Sequence, residues 1–355
     1  MFKRPTVLII GAGCSAEFGL PVGNTLKEEI ASQLGYLGQR RSSGSIMIIS
    51  SEGSDERLRL AVERAGRDVG STEWTRIANG LSEGIRHAPS IDNYLHLHRD
   101  DEAAVAIGKL AIARQIIRAE ERCHLSERDI DLSYIKSKTN GAPLWLQELV
   151  LHAQADVPRN DMGQIFTNLT IVTFNYDRVI EHYLYHALMK LGRLSEAQAA
   201  AAMSKLNIIH PYGKIGRLPW QPDDGCNVLP FGGGSEMTGQ DVLASGRRLR
   251  TFTETVDDPN IIGPMHDAIQ TAQQVAFMGF SFLPQNMTLM RPPERSKVHT
   301  VYGTNLYESP ANTRIANNHI TSLLRSEQWI GTAPTTWAST TAGQFMHDFG
   351  RELTS

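Results

Sequence analysis

Short apolar runs alternate with segments of helical spacing along much of this chain. Five runs are short enough, and rich enough in β-branched side chains, to predict buried parallel strands: residues 6–10, 169–174, 207–210, 274–278 and 298–302. Helical spacing follows at 177–191, 261–272 and 310–325, and a helix capped by Asn24 or Thr25 is predicted to run to about Leu34. Strands that alternate with helices predict a parallel sheet with right-handed crossovers.

A long helical zone interrupts this alternation after the first strand and helix. Residues 56–154 are mainly of helical pattern, most clearly at Glu102–Arg122, where apolar residues recur at helical spacing with charges between them. Residues 38–54 are rich in glycine, serine and arginine, and we predict a loop or a mobile segment there. Residues 217–250 are rich in glycine and proline, and we predict a loop.

These patterns predict an α/β fold: a Rossmann-like parallel sheet with helices on both faces and a helical insert. We expect a catalytic domain formed by residues 1–37 and 160–330, an insert at 38–159, and a short C-terminal tail at 331–355. The length of 355 residues suits one large core with an inserted module.

Composition and charge narrow the class of protein. The apolar fraction of 41% and the charged fraction of 21% are ordinary for a globular chain. The net charge of −3 argues against a general nucleic-acid binder, which usually carries a basic stripe. Arginines cluster at 40–41 and at 247, 248 and 250. Each cluster fits a solvated face, and a local basic patch stays open as an alternative.

No apolar run approaches the roughly 18 residues that a membrane span needs. The apolar run that starts at Val7 is too short for a signal peptide and leads directly into a glycine turn. Cys14, Cys123 and Cys226 are far apart and odd in number, which argues against a disulfide framework and a four-cysteine zinc site. We therefore expect a cytoplasmic protein without a metal.

A glycine turn follows the first strand. Gly11-Ala12-Gly13 precedes a helix, and glycines in such a turn let the backbone approach a pyrophosphate. The full G-x-G-x-x-G spacing is absent, because Ala16 and Glu17 stand where the third glycine is expected. The turn alone also fits an ordinary βα connection. Its extension through Ser15 to Gly19-Leu20-Pro21 makes dinucleotide binding the more specific interpretation.

Hydrogen-bonding side chains follow the later strands, at the edge where ligands bind in open α/β sheets. Asn175-Tyr176-Asp177 follows the second strand and also fits a helix cap. His210 ends the third strand, where it can take up a proton near neutral pH or be purely structural. Gly279, Ser281 and Asn305 follow the last two strands.

Together these motifs resemble the sirtuin-like domains of bacterial anti-phage defence systems. The order G-A-G-x-S…G-x-P, T-x-N-Y-D, strand-end His, G-F-S and late Asn covers residues 6–34 and about 168–306. The run Ser90-Ile91-Asp92-Asn93-Tyr94-Leu95 resembles a motif in the helical insert of bacterial members.

The resemblance implies an NAD-consuming enzyme and a role for each matching residue. Gly11, Ala12, Gly13, Ser15 and Pro21 would bind the phosphates and ribose of NAD. Asn175 and Asp177 would flank the nicotinamide, and His210 would be the general base. Gly279, Ser281 and Asn305 would hold the adenosine half.

Departures from the family pattern point away from deacylation of a protein lysine. Pro21 is followed by Val22-Gly23-Asn24 and not by the Asp-Phe-Arg of the deacylases, and their structural zinc module has no counterpart. Tyr212 stands where the family has its histidine, two residues after His210. The resemblance therefore implies an NAD hydrolase that releases nicotinamide and ADP-ribose and depletes the cofactor during anti-phage defence.

Alternatives from other classes stay open: a non-catalytic sensor of NAD or ADP-ribose, and an ADP-ribosyltransferase. An ordinary dehydrogenase is disfavoured, because the chain does not run quickly from Gly13 to a second strand that ends in an acidic residue. The resemblance also implies a homo-oligomer and restraint by a separate protein. We favour a HerA-type hexameric ATPase over a short Argonaute, and the helical zone 56–154 is the expected contact surface.

Overall fold

A six-stranded, all-parallel sheet forms the centre of the computed structural model. The structure describes residues 1–38, 55–155, 157–223, 225–256, 258–326, 329 and 333–355. The strands are β1 (Thr6–Ile10), β2 (Leu169–Thr173), β3 (Asn207–Ile209), β4 (Gln274–Met278), β5 (Thr300–Thr304) and β6 (Thr335–Ala338). Their order is β3-β2-β1-β4-β5-β6, which is the order of doubly wound dinucleotide-binding sheets.

Sixteen α-helices surround the sheet in the described part of the chain. The first eight are α1 (Ala12–Ala16), α2 (Gly23–Gly38), α3 (Glu56–Arg64), α4 (Thr72–His87), α5 (Ile91–Leu97), α6 (Glu102–Arg122), α7 (Leu132–Lys138) and α8 (Trp145–Gln154). The others are α9 (Val179–Gly192), α10 (Glu196–Met203), α11 (Gly239–Arg248), α12 (Phe252–Val256), α13 (Pro259–Thr271), α14 (Pro284–Leu289), α15 (Pro310–Leu324) and α16 (Ala342–Thr354). None of the helices in these ranges is both long and apolar enough to cross a bilayer.

Alternate residues of each strand enter two separate cores. Val7 and Ile9 of β1 pack on one face with helices that include α4, α6 and α13. Leu8 and Ile10 pack on the other face with α8, α9 and α16. Both faces of the sheet are therefore covered, which explains why β1 and β4 are apolar at successive positions after their first residue. The predicted fold class is confirmed.

The helical zone after α2 is packed into the fold. Residues of α3 to α6, among them Leu58, Ile77 and Leu110, belong to the same core as Val7 of the sheet, and α2 packs on α4. The domain boundaries that we predict from the sequence stay a prediction. The predicted loop at 38–54 and the Arg40–Arg41 pair lie outside the described residues, apart from Gly38 at the end of α2.

Three segments differ from the sequence prediction. Segment 217–250, expected as a loop, contains α11, which packs on α3 and α6. β5 begins at Thr300 and not at residue 298. Its pairing with β4 starts where Thr300 lies opposite Gln274. The preceding residue, His299, donates its N–H to the carbonyl of Gln273, which lies before β4 begins.

The third difference is the expected tail at 331–355, which contains β6 and α16. The buried carboxylate of Glu17 holds this end of the chain in place. Its oxygens accept from the backbone N–H of Gly343 in α16 at 2.6 Å and of Trp145 in α8 at 3.0 Å. Burial raises the pKa of Glu17 to about 7, although both N–H bonds oppose that shift.

Candidate active site

The turns that follow β1 and β4 meet at the point where the strand order reverses, and their glycines allow direct backbone contact. A Cβ on Gly11 would lie 2.3 Å from the Gly279 carbonyl oxygen, and one on Gly13 would lie 2.8 Å from the Gly279 Cα. Gly279 has a φ of +55°, which side chains disfavour. The glycines predicted to bind NAD therefore have a structural role in closing this turn.

Hydrogen bonds between these turns occupy backbone groups that we expected to face a phosphate. The Gly11 N–H donates to the Met278 carbonyl at 3.0 Å, and the Gly13 N–H donates to the Gly279 carbonyl at 3.1 Å. Gly279 in turn donates its N–H to Thr304 Oγ1 at 2.9 Å. A phosphate bound in this crevice must therefore be held by groups other than these three N–H groups.

Gly279→Ala is expected to lower the free energy of unfolding by more than about 2 kcal/mol. A left-handed φ costs a side chain roughly 1–2 kcal/mol, and the new Cβ would lie 2.5 Å from the Cys14 nitrogen, a backbone atom that has little room to move. Urea denaturation gives the measurement. Gly80→Ala in α4 is the control. A Cβ there meets nothing within 4 Å, and replacing glycine by alanine inside a helix should stabilise it by up to about 1 kcal/mol. Equal stability of the two variants would contradict the assigned role.

A chain of buried hydrogen bonds joins three of the predicted site residues. Asn175 Nδ2 donates to Ser15 Oγ at 2.9 Å and to the Gly11 carbonyl at 3.2 Å. Ser15 Oγ donates to Asp177 Oδ2 at 2.9 Å. The three side chains are at most 9% exposed. The structure thus brings the first glycine turn and the end of β2 into one network, in the order amide, hydroxyl, carboxylate.

The environment of Asp177 favours uptake of a proton. Burial, together with the charge of the nearby Glu120, raises the pKa of Asp177 to about 6, and the bonds from the Val179 N–H and from Ser15 offset only part of that shift. A carboxylate with a pKa close to neutral is suited to accept a proton during catalysis.

His210 lies at the end of β3 with both ring nitrogens bonded. Nδ1 is 3.0 Å from the Asn175 carbonyl oxygen, and Nε2 is 3.1 Å from Glu181 Oε1. A carbonyl only accepts, and so does an ionised carboxylate. Both ring nitrogens of His210 are therefore occupied by oxygen partners other than the Ser15 and Asp177 side chains.

Glu181 and Lys214 are members of this cluster that the sequence analysis missed. Lys214 Nζ lies 2.9 Å from Glu181 Oε1. Burial acts to raise the pKa of Glu181, but the charges of Lys214 and His210 outweigh it and hold that pKa well below its usual value. The available signal was the position of Glu181, one helical turn after Asp177 and so at the site end of α9.

The helical zone at 56–154 contributes one side chain to the same region. The Tyr176 hydroxyl donates to Asp92 of α5, and burial raises the pKa of Asp92, against the effect of that bond. Asp92 belongs to the Ser90–Leu95 motif that the sequence singled out. Ser90 itself caps α5 by accepting from the Asn93 N–H at 3.1 Å.

The residues predicted to hold the rest of the cofactor are less tightly placed. Ser281 is exposed and Pro21 is half-buried; among the described residues no hydrogen bond joins either side chain to the network. Ala12 begins α1. Asn305 donates from Nδ2 to Thr313 Oγ1 at 3.1 Å, while its buried Oδ1 has no partner within the described residues. An unpaired buried acceptor at this strand end suits a ligand hydroxyl.

Aromatic rings, also missed from the sequence, form a row along the strand ends. Phe174 contacts Phe280 at 5.3 Å between centroids, Phe280 contacts Phe282 at 5.3 Å, and Phe282 contacts Trp337 of β6 at 5.7 Å. Edge-to-face and tilted arrangements are the ones that aromatic rings prefer, and here they give an apolar wall along the strand ends.

The sheet order and the meeting of its strand ends define a Rossmann-like α/β protein with a buried polar site at the switch point. No family model matches the chain, and no curated protein matches it. Among solved structures, the chain is similar to a Sir2 homolog in complex with NAD, at 12% identity over 99% of this chain and 90% of that chain, with a TM-score of 0.39. The fold class follows from the sheet itself, and the site from its own contacts.

Proposed function

We propose that this protein is an NAD glycohydrolase that cleaves NAD to nicotinamide and ADP-ribose. The observation that carries the proposal is the buried Asn175–Ser15–Asp177 network, at the carboxyl ends of β1 and β2 beside the switch point of the sheet. This is where dinucleotides bind in sheets of this order. The sirtuin-like motif order of the sequence supports the same substrate.

Asn175 orients the attacking water in the proposed reaction. Its Nδ2 already donates to Ser15 and Gly11, so its Oδ1 is the atom that accepts from a water. The water oxygen forms a bond to C1′ of the ribose while the bond from C1′ to nicotinamide breaks, and the electron pair of that bond leaves with nicotinamide. The transition state is oxocarbenium-like and needs no strong protein nucleophile.

The proton released by the water passes through Ser15 to Asp177. In this step the water donates one hydrogen to Asn175 Oδ1 and the other to the Ser15 Oγ lone pair that Asn175 does not use. Ser15 takes up that proton as it gives its own proton to Asp177 Oδ2, with which it is already hydrogen-bonded. His210 keeps the Asn175 backbone in place through the bond to its carbonyl. His210 as the base is the rival assignment, and the variants described in the Discussion separate the two.

The test is nicotinamide release from NAD by the purified chain, alone and with lysate from infected cells, beside Asn175→Ala. We expect nicotinamide and ADP-ribose in equal amounts, and loss of both in the variant. Bound NAD without any nicotinamide, under both conditions, would overturn the hydrolase in favour of a sensor. Nicotinamide release with ADP-ribose attached to an acceptor would instead identify a transferase.

The biological role that we propose is NAD depletion in anti-phage defence, as a cytoplasmic homo-oligomer restrained by a separate protein. The sirtuin-like resemblance supports this role, with a HerA-type ATPase favoured as the partner over an Argonaute. Activity that appears only with the lysate of infected cells is the result expected from such restraint.

A further inference from the structure

A cavity lies away from the candidate active site, between the helical zone and α11. Its volume is about 670 Å³, and its walls are α6, α11 and the turn at 251–254. That volume is within the range of small-molecule sites, roughly 300–1,000 Å³. None of its lining residues belongs to the Asn175–Ser15–Asp177 network or to the His210 cluster.

The cavity combines an apolar floor with a charged rim. Val105, Leu110 and Leu243 form apolar lining, and α11 approaches α6 closely because Gly246 has no side chain: a Cβ there would lie 2.7 Å from Leu110 Cδ2. The rim has three basic side chains on three different segments and two acidic ones: Arg99, Lys109, Arg247, Glu102 and Glu254. The balance of charge is positive.

One ion pair lies on the rim, between Lys109 and the more exposed Glu254, whose place beside Lys109 an anionic ligand could take. Lys109 Nζ lies 2.5 Å from Glu254 Oε2, and the Glu254 side chain is 49% exposed while that of Lys109 is 14% exposed. The same carboxylate accepts from the Thr251 N–H at 2.7 Å. An anion that binds Lys109 therefore competes with the carboxylate that also accepts from Thr251 at the start of α12.

This turn and α12 are bonded to the segment that follows His210. Thr255 Oγ1 donates to the Pro211 carbonyl at 2.9 Å, and the Arg250 N–H donates to the Tyr212 carbonyl at 2.9 Å. A Cβ on Gly213 would lie 2.2 Å from the Arg248 carbonyl oxygen, so the two segments are also in backbone contact. These contacts join the segment that carries Glu254 directly to residues 211–213.

We propose that this cavity binds a small organic anion with an apolar body, and that the bound anion shifts residues 211–213 by displacing Glu254 from Lys109. The apolar floor recognises the body of the ligand, and the basic rim recognises its acidic group. The site is a separate one, and its existence does not depend on the proposed hydrolysis of NAD.

The binding test uses anilinonaphthalene sulfonate, whose aromatic body carries one sulfonate, in isothermal titration calorimetry of the full chain. We expect one saturable site, and binding at least about tenfold weaker for N-phenylnaphthylamine, which lacks the sulfonate, because a charge-assisted contact is lost. Equal affinity for the two compounds, or no saturable site, would overturn the proposal.

Three variants locate the site. Ala106→Trp places an indole in the cavity from an exposed position of α6, and Arg247→Glu reverses one rim charge at an exposed position of α11. Each should weaken binding at least about tenfold. Ala201→Trp, at an exposed position of α10 outside the cavity, is the matched control and should bind as the wild type does. Unchanged binding in Ala106→Trp and Arg247→Glu would place the probe elsewhere and refute the site.

The coupling is read by hydrogen exchange of the backbone at 208–214, with and without saturating probe. We expect the exchange rate there to change in the wild type and in Ala201→Trp, and to stay constant in Ala106→Trp. Binding without any change at 208–214 would overturn the coupling. Neither measurement uses NAD, so failure here and failure of the hydrolase are distinguishable.

Discussion

Replacing Asp177 with asparagine is expected to slow nicotinamide release by about 10²–10⁴-fold, which is the usual contribution of a general base. Asparagine has the same shape, and its oxygen can take the place of Asp177 Oδ2, which accepts from Ser15 at 2.9 Å. Its amide nitrogen then takes the place of Oδ1, so the bond from the Val179 N–H is lost. It cannot take up the proton of the attacking water. Steady-state measurement of kcat and KM is the readout, and we expect kcat to fall with little change in KM.

The pH dependence separates Asp177 from His210 as the base. The base must be ionised to accept a proton, so wild-type kcat/KM should rise with pH through the Asp177 pKa of about 6 and then level off. His210→Gln should show the same rise of kcat/KM with pH, at a lower rate overall, because the bond to the Asn175 carbonyl is lost. If the rise with pH disappears in His210→Gln and remains in Asp177→Asn, His210 is the base.

The melting temperature of Asp177→Asn shows whether the variant is still folded. The folded-state pKa lies above the unfolded value of 3.8, so the contribution of this group to stability is present at low pH and is lost as pH rises through about 6. Asp177→Asn removes the buried charge that causes this loss. We expect the melting temperature of the variant at pH 8 to equal or exceed that of the wild type, so that lost activity is not lost folding.

Arg178→Met is expected to destabilise the protein by about 3–5 kcal/mol, the cost of leaving a buried charge without its partner. Arg178 and Glu120 of α6 are both fully buried, with Nη2 2.6 Å from Oε2. The guanidinium also donates to the carbonyls of Leu229 and Pro230, and Glu120 accepts from the Gly232 N–H at 3.0 Å. One pair therefore joins the helical zone, the start of α9 and the 229–232 loop.

A double-mutant cycle in urea tests this assignment. Glu120→Gln added to Arg178→Met removes the unpaired charge and should recover part of the lost stability, which gives a coupling energy of the two sites. Lys190→Met is the matched surface control: its ion pair with Asp129 is about half exposed on both sides and should contribute less than about 1 kcal/mol. Destabilisation of Arg178→Met no greater than that of Lys190→Met would show that the pair is not the anchor of these segments.

Local sequence was sufficient for the elements that are buried on both faces or follow one clear period. β1 and β4 were predicted with the bounds that the structure shows, because a strand covered on both sides must be apolar along most of its length, and in both strands every residue after the first is apolar. The predicted and observed bounds of α6 also coincide, because its apolar residues recur at clear helical spacing. β6 was missed, because it is a four-residue edge strand with two threonines and no fully buried residue. The helix after it did have a signal, in the helical spacing of Phe345, Phe349 and Leu353.

The sequence by itself determined five of the six strands, the glycine turn after β1 and the set of polar residues at the strand ends, because each depends on neighbours within a few positions. Only the tertiary structure decided which partners those residues contact. Ser15 and Asp177 are 162 positions apart and share a hydrogen bond, and Glu181 reaches His210 from a different element. Protonation depends on burial and on the charges that other segments bring close. That information lies in the packing of distant segments, so no local pattern around Asp177 or His210 contains it.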